Sequence, residues 1–88
     1  MQCVVVYDIP DDRLRNKVAD ICLDYGLERI QYSAFAGSLA PSHMDELLAK
    51  IKKRAGSKAA DVQIFPICTT CWNKRRQWKQ QEKTNPAK

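Results

Sequence analysis

One aspartate lies where a strand could present it to a substrate. Asp8 follows an unbroken run of β-favouring residues, Cys3 to Tyr7, and Pro10 comes two positions later. Such a run predicts a strand buried on both faces at the centre of a sheet, and proline ends it because proline cannot donate to the ladder. Catalytic groups of open α/β sheets often lie at this carboxyl end. Asp8 is therefore a candidate catalytic carboxylate, and the alternative is that it only caps the strand or the next helix.

A pair of cysteines, Cys68 and Cys71, has the spacing of half a zinc site. A structural zinc site usually needs four ligands, and Cys3 and Cys22 fall in predicted core segments. One chain therefore cannot easily supply the full set, although two chains across a dimer axis could. A redox role would need the pair at a helix start, whereas here it follows a predicted strand. We expect the pair to be dispensable for chemistry that uses a hard cation.

Length and composition restrict the class of protein. The chain has 88 residues and a net charge of +5. One domain of this size buries only a little over ~60% of its unfolded surface, so a partner would stabilise it. The sequence shows neither a secretory leader nor an apolar run of about 18 residues, which predicts a cytoplasmic protein. Four cysteines in such a chain predict reduced thiols rather than disulfides.

The excess positive charge lies near the C-terminus. Residues 1–71 carry nine basic and nine acidic side chains, whereas residues 72–88 carry six basic side chains and one acidic one. We therefore expect a domain over residues 1–73 and a basic tail over residues 74–88. Such a tail either contacts a polyanion or keeps the protein in solution.

Hydrophobic spacing predicts the element order β-α-β(β)-α-β. Asp11 or Asp12 offers an N-cap for a helix of about 14 residues that ends before Gly26. Residues 28–39 predict one bent strand, or two short strands joined near Ser33.

The second half of the predicted order consists of a helix and a strand. Ser42 with Asp45 resembles a capping box for the helix, and residues 62–67 predict a strand closed by Pro66. The whole order fits an α+β fold, a ferredoxin-like βαββαβ sandwich with two helices on one face of an antiparallel sheet.

Several classes of function find little support. The chain has no nucleophile elbow, P-loop or Gly-rich dinucleotide turn, and its single histidine, His43, is expected on the surface of a helix start. An RNA-recognition module would share the fold order, with Tyr32 and Phe35 stacking on bases, but the Lys/Arg-Gly-aromatic signature of that class is absent.

Five short motifs follow one another along the chain: Tyr7-Asp8, Arg13 to Val18, Asp24 to Leu27, Arg29 to Phe35, and Phe65 to Cys68. In these motifs, over residues 1–73, the chain closely resembles the CRISPR-associated Cas-two family, the small partner of the Cas-one integrase in spacer acquisition. The resemblance implies a ferredoxin-like homodimer whose C-terminal segment joins the partner's sheet. It also implies a metal-dependent endonuclease of antiviral defence that acts on RNA in some members and on duplex DNA in others.

The resemblance also implies which residues act. The family's catalytic and metal-binding aspartate falls on Asp8, with Mg²⁺ (or Mn²⁺) as the cofactor. The positions implied in nucleic-acid binding are Tyr7, Arg15, Lys17, Arg29, Ser33 and Phe35.

These roles are physically consistent with one another. Two Asp8 side chains that meet across a twofold axis would hold one ion and the scissile phosphate. Arg15, Lys17 and Arg29 would hold backbone phosphates, and the alternative is a solvated helix face. Lys17 stands where the family has an arginine and lacks the planar fork, and Ala36 stands where many relatives have a glutamate.

Two other functions stay open at this point. The same dimer could be a non-catalytic scaffold that bridges Cas-one subunits and grips duplex DNA, or a toxin-type ribonuclease such as those of the virulence-associated D family. The sequence does not decide between RNA and DNA.

Overall fold

Four strands and three helices make up residues 1–81, the part of the chain that the computed structural model describes. In chain order they are β1 (Gln2–Asp8), α1 (Asp12–Asp24), β2 (Glu28–Gln31), β3 (Ala34–Ser38), α2 (Pro41–Ala55), β4 (Asp61–Ile67) and α3 (Thr69–Asn73). The strands form one antiparallel sheet in the order β2-β3-β1-β4. This order confirms the ferredoxin-like α+β prediction, to which the short helix α3 is an addition.

The strand that carries Asp8 occupies a central position, as the sequence predicts. β1 pairs with β3 on one side and with β4 on the other. The prediction of burial on both faces is wrong, because Cys3, Val5 and Tyr7 are buried while Val4 and Val6 are only partly buried. The reason is that both large helices cover the same face, so alternate residues of β1 point to an open face.

Helix α1 begins and ends as its sequence signals indicate. The Asp11 carboxylate accepts a hydrogen bond from the backbone N–H of Leu14 over 2.7 Å. This bond, together with the Lys58 ammonium, lowers the pKa of Asp11. After the C-cap residue Tyr25, Gly26 has a φ of 81°, a left-handed conformation that glycine adopts at little cost.

The segment after α1 forms two short strands, the second of the two predicted arrangements. A turn at Tyr32 and Ser33 joins β2 to β3, and the pairing is irregular between Arg29 and Gln31. Gly37 permits a close approach in β3, because a Cβ atom there would lie 2.7 Å from Cδ2 of Leu27. Gly37 therefore lets β3 lie close to Leu27, the residue before β2.

Helix α2 begins earlier than the predicted capping box. Its N-cap is Ala40, which makes no side-chain hydrogen bond, and Pro41 occupies the first turn. Proline suits this position because its fixed φ is helical and its missing N–H would have no helical partner. Ser42 therefore lies inside the helix, and His43 is exposed, as expected.

Helices α1 and α2 lie antiparallel on the sheet. Lys50 of α2 lies over the ring of Tyr25 beyond the C-terminal end of α1, whereas Lys58 beyond α2 bonds to Asp11 before the start of α1. The largest fully buried side chains of this layer are Phe35, Leu47, Ile51, Val5, Val18, Cys3 and Cys22. The core thus lies between the helices and one face of the sheet.

The opposite face of the sheet carries apolar side chains that α1 and α2 do not cover, although Trp72 of α3 lines a cavity on this face. Ile30 and Phe65 are each 48% exposed, and Val4 and Val6 are partly buried on the same face. An apolar sheet face of this kind is typical of a surface that packs against another element.

Among the described residues, one short helix follows β4. Pro66 lies within β4 rather than ending it, which an edge strand tolerates. Helix α3 ends at Asn73, and residues 74–81 have no helix or strand. The rest of the predicted basic tail, residues 82–88, lies outside the described residues. None of the helices described is long and apolar enough to span a bilayer.

Candidate functional site

Asp8 faces a second carboxylate of the same chain. It is the last residue of β1, and its register partner across the β1–β4 pair is Asp61, the first residue of β4. Both residues are exposed. Directly opposed residues of antiparallel strands share one face of the sheet, with Cβ atoms about 4.5–5.5 Å apart. One chain therefore presents two carboxylates at this end of the sheet, whereas the sequence analysis had found only Asp8.

Arg15 fixes the loop that follows Asp8. Its guanidinium donates to the carbonyl oxygen of Ile9 over 2.8 Å and to the hydroxyl of Tyr32 over 3.1 Å, and it forms an ion pair with Asp12. The Asp12 carboxylate is the main reason why the pKa of Arg15 is raised. The side chain is only 18% exposed. Arg15 therefore links the β1–α1 loop to the β2–β3 turn, and the phosphate contact implied by the resemblance stays a prediction.

The β2–β3 turn lies at the same end of the sheet as Asp8. The carbonyl oxygen of Ser33 accepts a hydrogen bond from the backbone N–H of Tyr7 over 3.0 Å. Ser33 is partly buried, and the neighbouring Tyr32 is 68% exposed, with the Arg15 guanidinium 5.4 Å from its ring centroid. The turn thus adds a hydroxyl and an exposed aromatic ring to the surroundings of the carboxylates.

Two aromatic residues that the resemblance places at the nucleic-acid surface are buried instead. Tyr7 is 6% exposed and Phe35 is 0% exposed, and their rings stack with centroids 6.3 Å apart. Because residues alternate along β1, Tyr7 points to the helices while Asp8 points to the open face. The prediction that these rings contact nucleic acid is therefore corrected: they pack the sheet behind the carboxylates, and burial raises the pKa of Tyr7.

The other two predicted phosphate ligands, Arg29 on β2 and Lys17 on α1, are both exposed. The guanidinium of Arg29, on the edge strand β2, lies 5.1 Å from the ring centroid of Phe35. Lys17 lies on α1 and lines a cleft between the two large helices. Arg29 and Arg15 both lie close enough to the Tyr7 hydroxyl to oppose the rise in its pKa that burial causes. Two of the three predicted basic residues therefore lie around one side chain, whereas Lys17 lines the cleft between the helices.

The carboxylate pair offers only part of a metal site. Residues 1–81 contain no group of three or more His, Cys, Asp or Glu side chains placed to hold one ion. Mg²⁺ nevertheless prefers oxygen ligands and keeps several waters, so two exposed carboxylates and a substrate phosphate suit it. Asp8 and Asp61 fit a weakly held hard cation that solvent and substrate also coordinate.

The cysteine pair lies at a helix start, which the sequence analysis did not expect. Cys68 is the N-cap of α3, and its sulfur accepts from the backbone N–H of Cys71 over 3.4 Å. That bond is the main reason why the pKa of Cys68 is lowered, while the Cys68 sulfur raises the pKa of Cys71. Burial raises the pKa of Cys22 to about 11. The pair is exposed, but within the described chain no other metal-ligating side chains join it, so a complete zinc site is absent there.

The sequence reasoning missed Asp61 and gave Tyr32 little weight. Asp61 opens a strand, which is a weak signal, and only the β1–β4 register shows that it opposes Asp8. Tyr32 stands between two strands, where an exposed aromatic ring is a recognisable sign of a contact surface. The assembled site consists of Asp8, Asp61, Ser33, Tyr32 and the supporting Arg15.

Comparison with known proteins gives consistent matches. Residues 1–75 match the family described as CRISPR associated protein Cas2. A relative from Chloroflexus aurantiacus, named CRISPR-associated endoribonuclease Cas2 2, is 53% identical over 81 residues, which cover 92% of this chain and 95% of that protein.

Two further matches are a fusion protein and a solved structure. A protein from Thermoproteus tenax, named CRISPR-associated endonuclease Cas1/endonuclease Cas2 fusion, is 43% identical over 67 residues, which are 76% of this chain and 25% of the fusion. The crystal structure of Streptococcus pyogenes Cas2 superimposes with a TM-score of 0.74 at 20% identity, over 90% of this chain and 100% of that one. At that identity the superposition supports the fold alone.

Proposed function

The chain belongs to the CRISPR associated protein Cas2 family, and on this premise we propose that it is an endoribonuclease of a CRISPR system. The observation that carries the proposal is the position of Asp8 opposite Asp61 at an exposed strand end. Relatives that share about half of its residues or fewer carry the name endoribonuclease, which favours RNA over duplex DNA as the first substrate to test.

We further propose that the activity depends on Mg²⁺ or Mn²⁺. Asp8 and Asp61 would hold the ion, since both are exposed oxygen donors on one face of the sheet. When bound, such an ion lowers the pKa of water and stabilises charge on phosphate oxygens. Arg15 keeps the loop after Asp8 in place through its bond to Ile9. A rigid support of this kind holds a catalytic group within the narrow tolerance that phosphodiester cleavage requires.

The proposal includes a homodimer. The open sheet face carries Val4, Ile30 and Phe65, and within residues 1–81 no strand lies beyond β4 at its edge of the sheet. Apolar faces and free edges of this kind gain stability by packing against, or pairing with, a second chain. In such a dimer the C-terminal segment would join the partner's sheet. Light scattering at micromolar concentration tests it, and a monomer would contradict it.

The central experiment compares Asp8→Asn with the unaltered protein. Cleavage of labelled single-stranded RNA and of duplex DNA would be followed in Mg²⁺ and in EDTA. We expect cleavage by the unaltered protein in Mg²⁺ only, and little or none by Asp8→Asn, because the amide keeps the shape but cannot hold the cation. Asp20→Asn, at an exposed position of α1, is the matched control. Cleavage by Asp8→Asn at the unaltered rate would exclude the catalytic role.

A second candidate function is a scaffold that works together with Cas1. The observation that favours it is the relative in which Cas1 and Cas2 domains form one chain. In this case the dimer would hold Cas1 subunits in spacer acquisition, and Asp8→Asn would leave both Cas1 binding and acquisition intact. Spacer acquisition in cells that carry Asp8→Asn, measured beside cleavage in vitro, separates the two functions.

A further inference from the structure

A basic cleft lies between the first half of α1 and the end of α2. It has a volume of about 320 Å³. Five cations and one leucine line it: Arg13, Leu14, Lys17, Lys53, Arg54 and Lys58. The antiparallel packing of the helices creates it, because the C-terminal end of α2 meets the N-terminal end of α1. We call these five cations the basic cleft.

In the described part of the chain, most of this positive charge has no carboxylate partner. Lys58 pairs with Asp11 over 3.1 Å. Within residues 1–81, no carboxylate lies within 4.0 Å of the charged nitrogens of Arg13, Lys17, Lys53 or Arg54. Cations that converge around a concavity repel one another, which costs stability unless an anion is present.

The helix dipole explains only part of the arrangement. Lys53 and Arg54 lie in the last turn of α2, where a helix favours cations. Arg13 and Lys17 lie in the first half of α1. The N-terminal end of a helix favours anions rather than cations. The position of these two residues next to the α2 cations is therefore unfavourable in the free protein, and a bound anion would relieve it.

The cleft lies at the same end of the sandwich as the carboxylate pair. Asp11 follows Asp8 by three positions, and Lys58 precedes Asp61 by three positions. The bond between Asp11 and Lys58 joins the two loops that carry these residues. The carboxylates open toward the exposed sheet face, while the cleft lies on the helix side. A polymer that crosses this end of the molecule would meet both.

We propose that the basic cleft binds successive phosphates of the nucleic-acid strand whose scissile bond lies at Asp8 and Asp61. This inference rests on the proposed nuclease function and names the surface that holds its substrate. Flexible lysine and arginine side chains suit phosphodiester backbones without reading bases, so binding is independent of sequence. The concave shape favours a strand over a membrane, since a flat lipid surface would contact protruding side chains first.

The test measures binding in EDTA, so that its outcome does not depend on cleavage. Anisotropy of labelled single-stranded RNA and of labelled duplex DNA would be recorded across a range of salt concentrations. Lys53→Gln is compared with Lys50→Gln, because both are exposed lysines of α2 and only Lys53 lines the cleft. Circular dichroism would verify that each variant is folded.

The expected result is a smaller dependence on salt for Lys53→Gln alone. Loss of one phosphate contact lowers the slope of log K against log salt by ~0.9 on duplex DNA or ~0.7 on single strands. Comparison of the two ligands shows which strand type the cleft prefers. Equal effects of Lys53→Gln and Lys50→Gln would overturn the proposal, because they would reflect net charge alone.

A variant that should raise the affinity for nucleic acid, rather than lower it, provides a second test. Asp11→Asn keeps an N-cap side chain but removes the charge that pairs with Lys58. We expect Asp11→Asn to bind nucleic acid more tightly than the unaltered protein, and weaker binding would contradict the proposal. Binding to vesicles that contain anionic lipids would be measured as a further comparison. Vesicle binding that is lost in Lys53→Gln, with nucleic-acid binding unchanged, would assign the cleft to membranes instead.

Discussion

The guanidinium of Arg15 donates a hydrogen bond to the carbonyl oxygen of Ile9, the residue that follows Asp8. The same group bonds to Tyr32 in the β2–β3 turn and to Asp12 at the start of α1. One side chain thus joins three segments that surround the carboxylate pair. A positive charge alone cannot replace it, because the bonds need several donors in a planar arrangement.

Arg15→Lys should therefore lower both stability and cleavage. Lysine keeps the charge but loses the planar arrangement of donors that holds the loop and the turn together. Because displacement of a catalytic group by about 1 Å can cost up to ~100-fold in rate, we expect kcat to fall by about one to two orders of magnitude. The melting temperature should also fall. Lys52→Arg, the reverse exchange at an exposed position of α2 outside the basic cleft, is the control. Equal kcat for the two variants would exclude the supporting role.

Asp61→Asn should stabilise the protein in EDTA and weaken its response to Mg²⁺. Like charges directly opposite in a sheet destabilise it, so removal of one should raise the free energy of unfolding by roughly 0.2–1 kcal/mol. Conversely, a cation that binds only the folded state raises its stability. Urea unfolding with and without Mg²⁺ measures both effects. A Mg²⁺-dependent gain in Asp61→Asn as large as in the unaltered protein would show that Asp61 does not hold the ion.

The exposed ring of Tyr32 should contribute to binding of single strands. Stacking of a base on an aromatic side chain is worth about 1–3 kcal/mol, so Tyr32→Ala should weaken RNA binding by about fivefold or more. Tyr32→Phe keeps the ring and loses only the hydroxyl that Arg15 contacts. We expect Tyr32→Phe to bind RNA nearly as the unaltered protein does. If both variants bind equally poorly, the hydroxyl rather than the ring carries the effect.

Cys68 should be the first thiol to react as the pH rises. The backbone N–H of Cys71 stabilises its thiolate and lowers its pKa, whereas Cys71 has a raised pKa. A lowered pKa places thiolate at lower pH, so alkylation of Cys68 should begin below the pH at which Cys71 reacts. Cys22, with a pKa of about 11 and no exposure, should stay unmodified in the folded protein. Iodoacetamide labelling with peptide mapping, from about two units below to about one unit above a free thiol's usual pKa of about 8.5, measures this order. Earlier labelling of Cys71 would contradict the geometry.

Local signals in the sequence were sufficient for most of the fold. The apolar run before Asp8 predicts the central strand, and Asp11 with Gly26 predicts both ends of α1. Propensity alone misplaced the start of α2, because Pro41 and Ser42 both suit a first turn and only the backbone shows that Ala40 is the cap.

The site was harder to predict from the sequence. Its residues come together only through the register between strands, and each side chain contributes only if it lies on the correct face of the sheet. Asp61 opposes Asp8 only through the β1–β4 register, which no local pattern encodes. Tyr7 and Phe35 were assigned to the nucleic-acid surface by resemblance, whereas the alternation of β1 and the burial of β3 place them in the core. The basic cleft brings residues 13–17 together with residues 53–58, and only helix packing reveals it.

Of the four strands described, β1, which carries Asp8, precedes the others in the chain, yet its pairing with neighbouring strands is complete only when β4 joins the sheet. β1 lies between β3 and β4, and Asp61 enters the sheet only with β4, near the end of the domain. A chain that is still growing on the ribosome therefore holds Asp8 without its opposing carboxylate. The proposed site becomes complete only after almost the whole domain has left the exit tunnel.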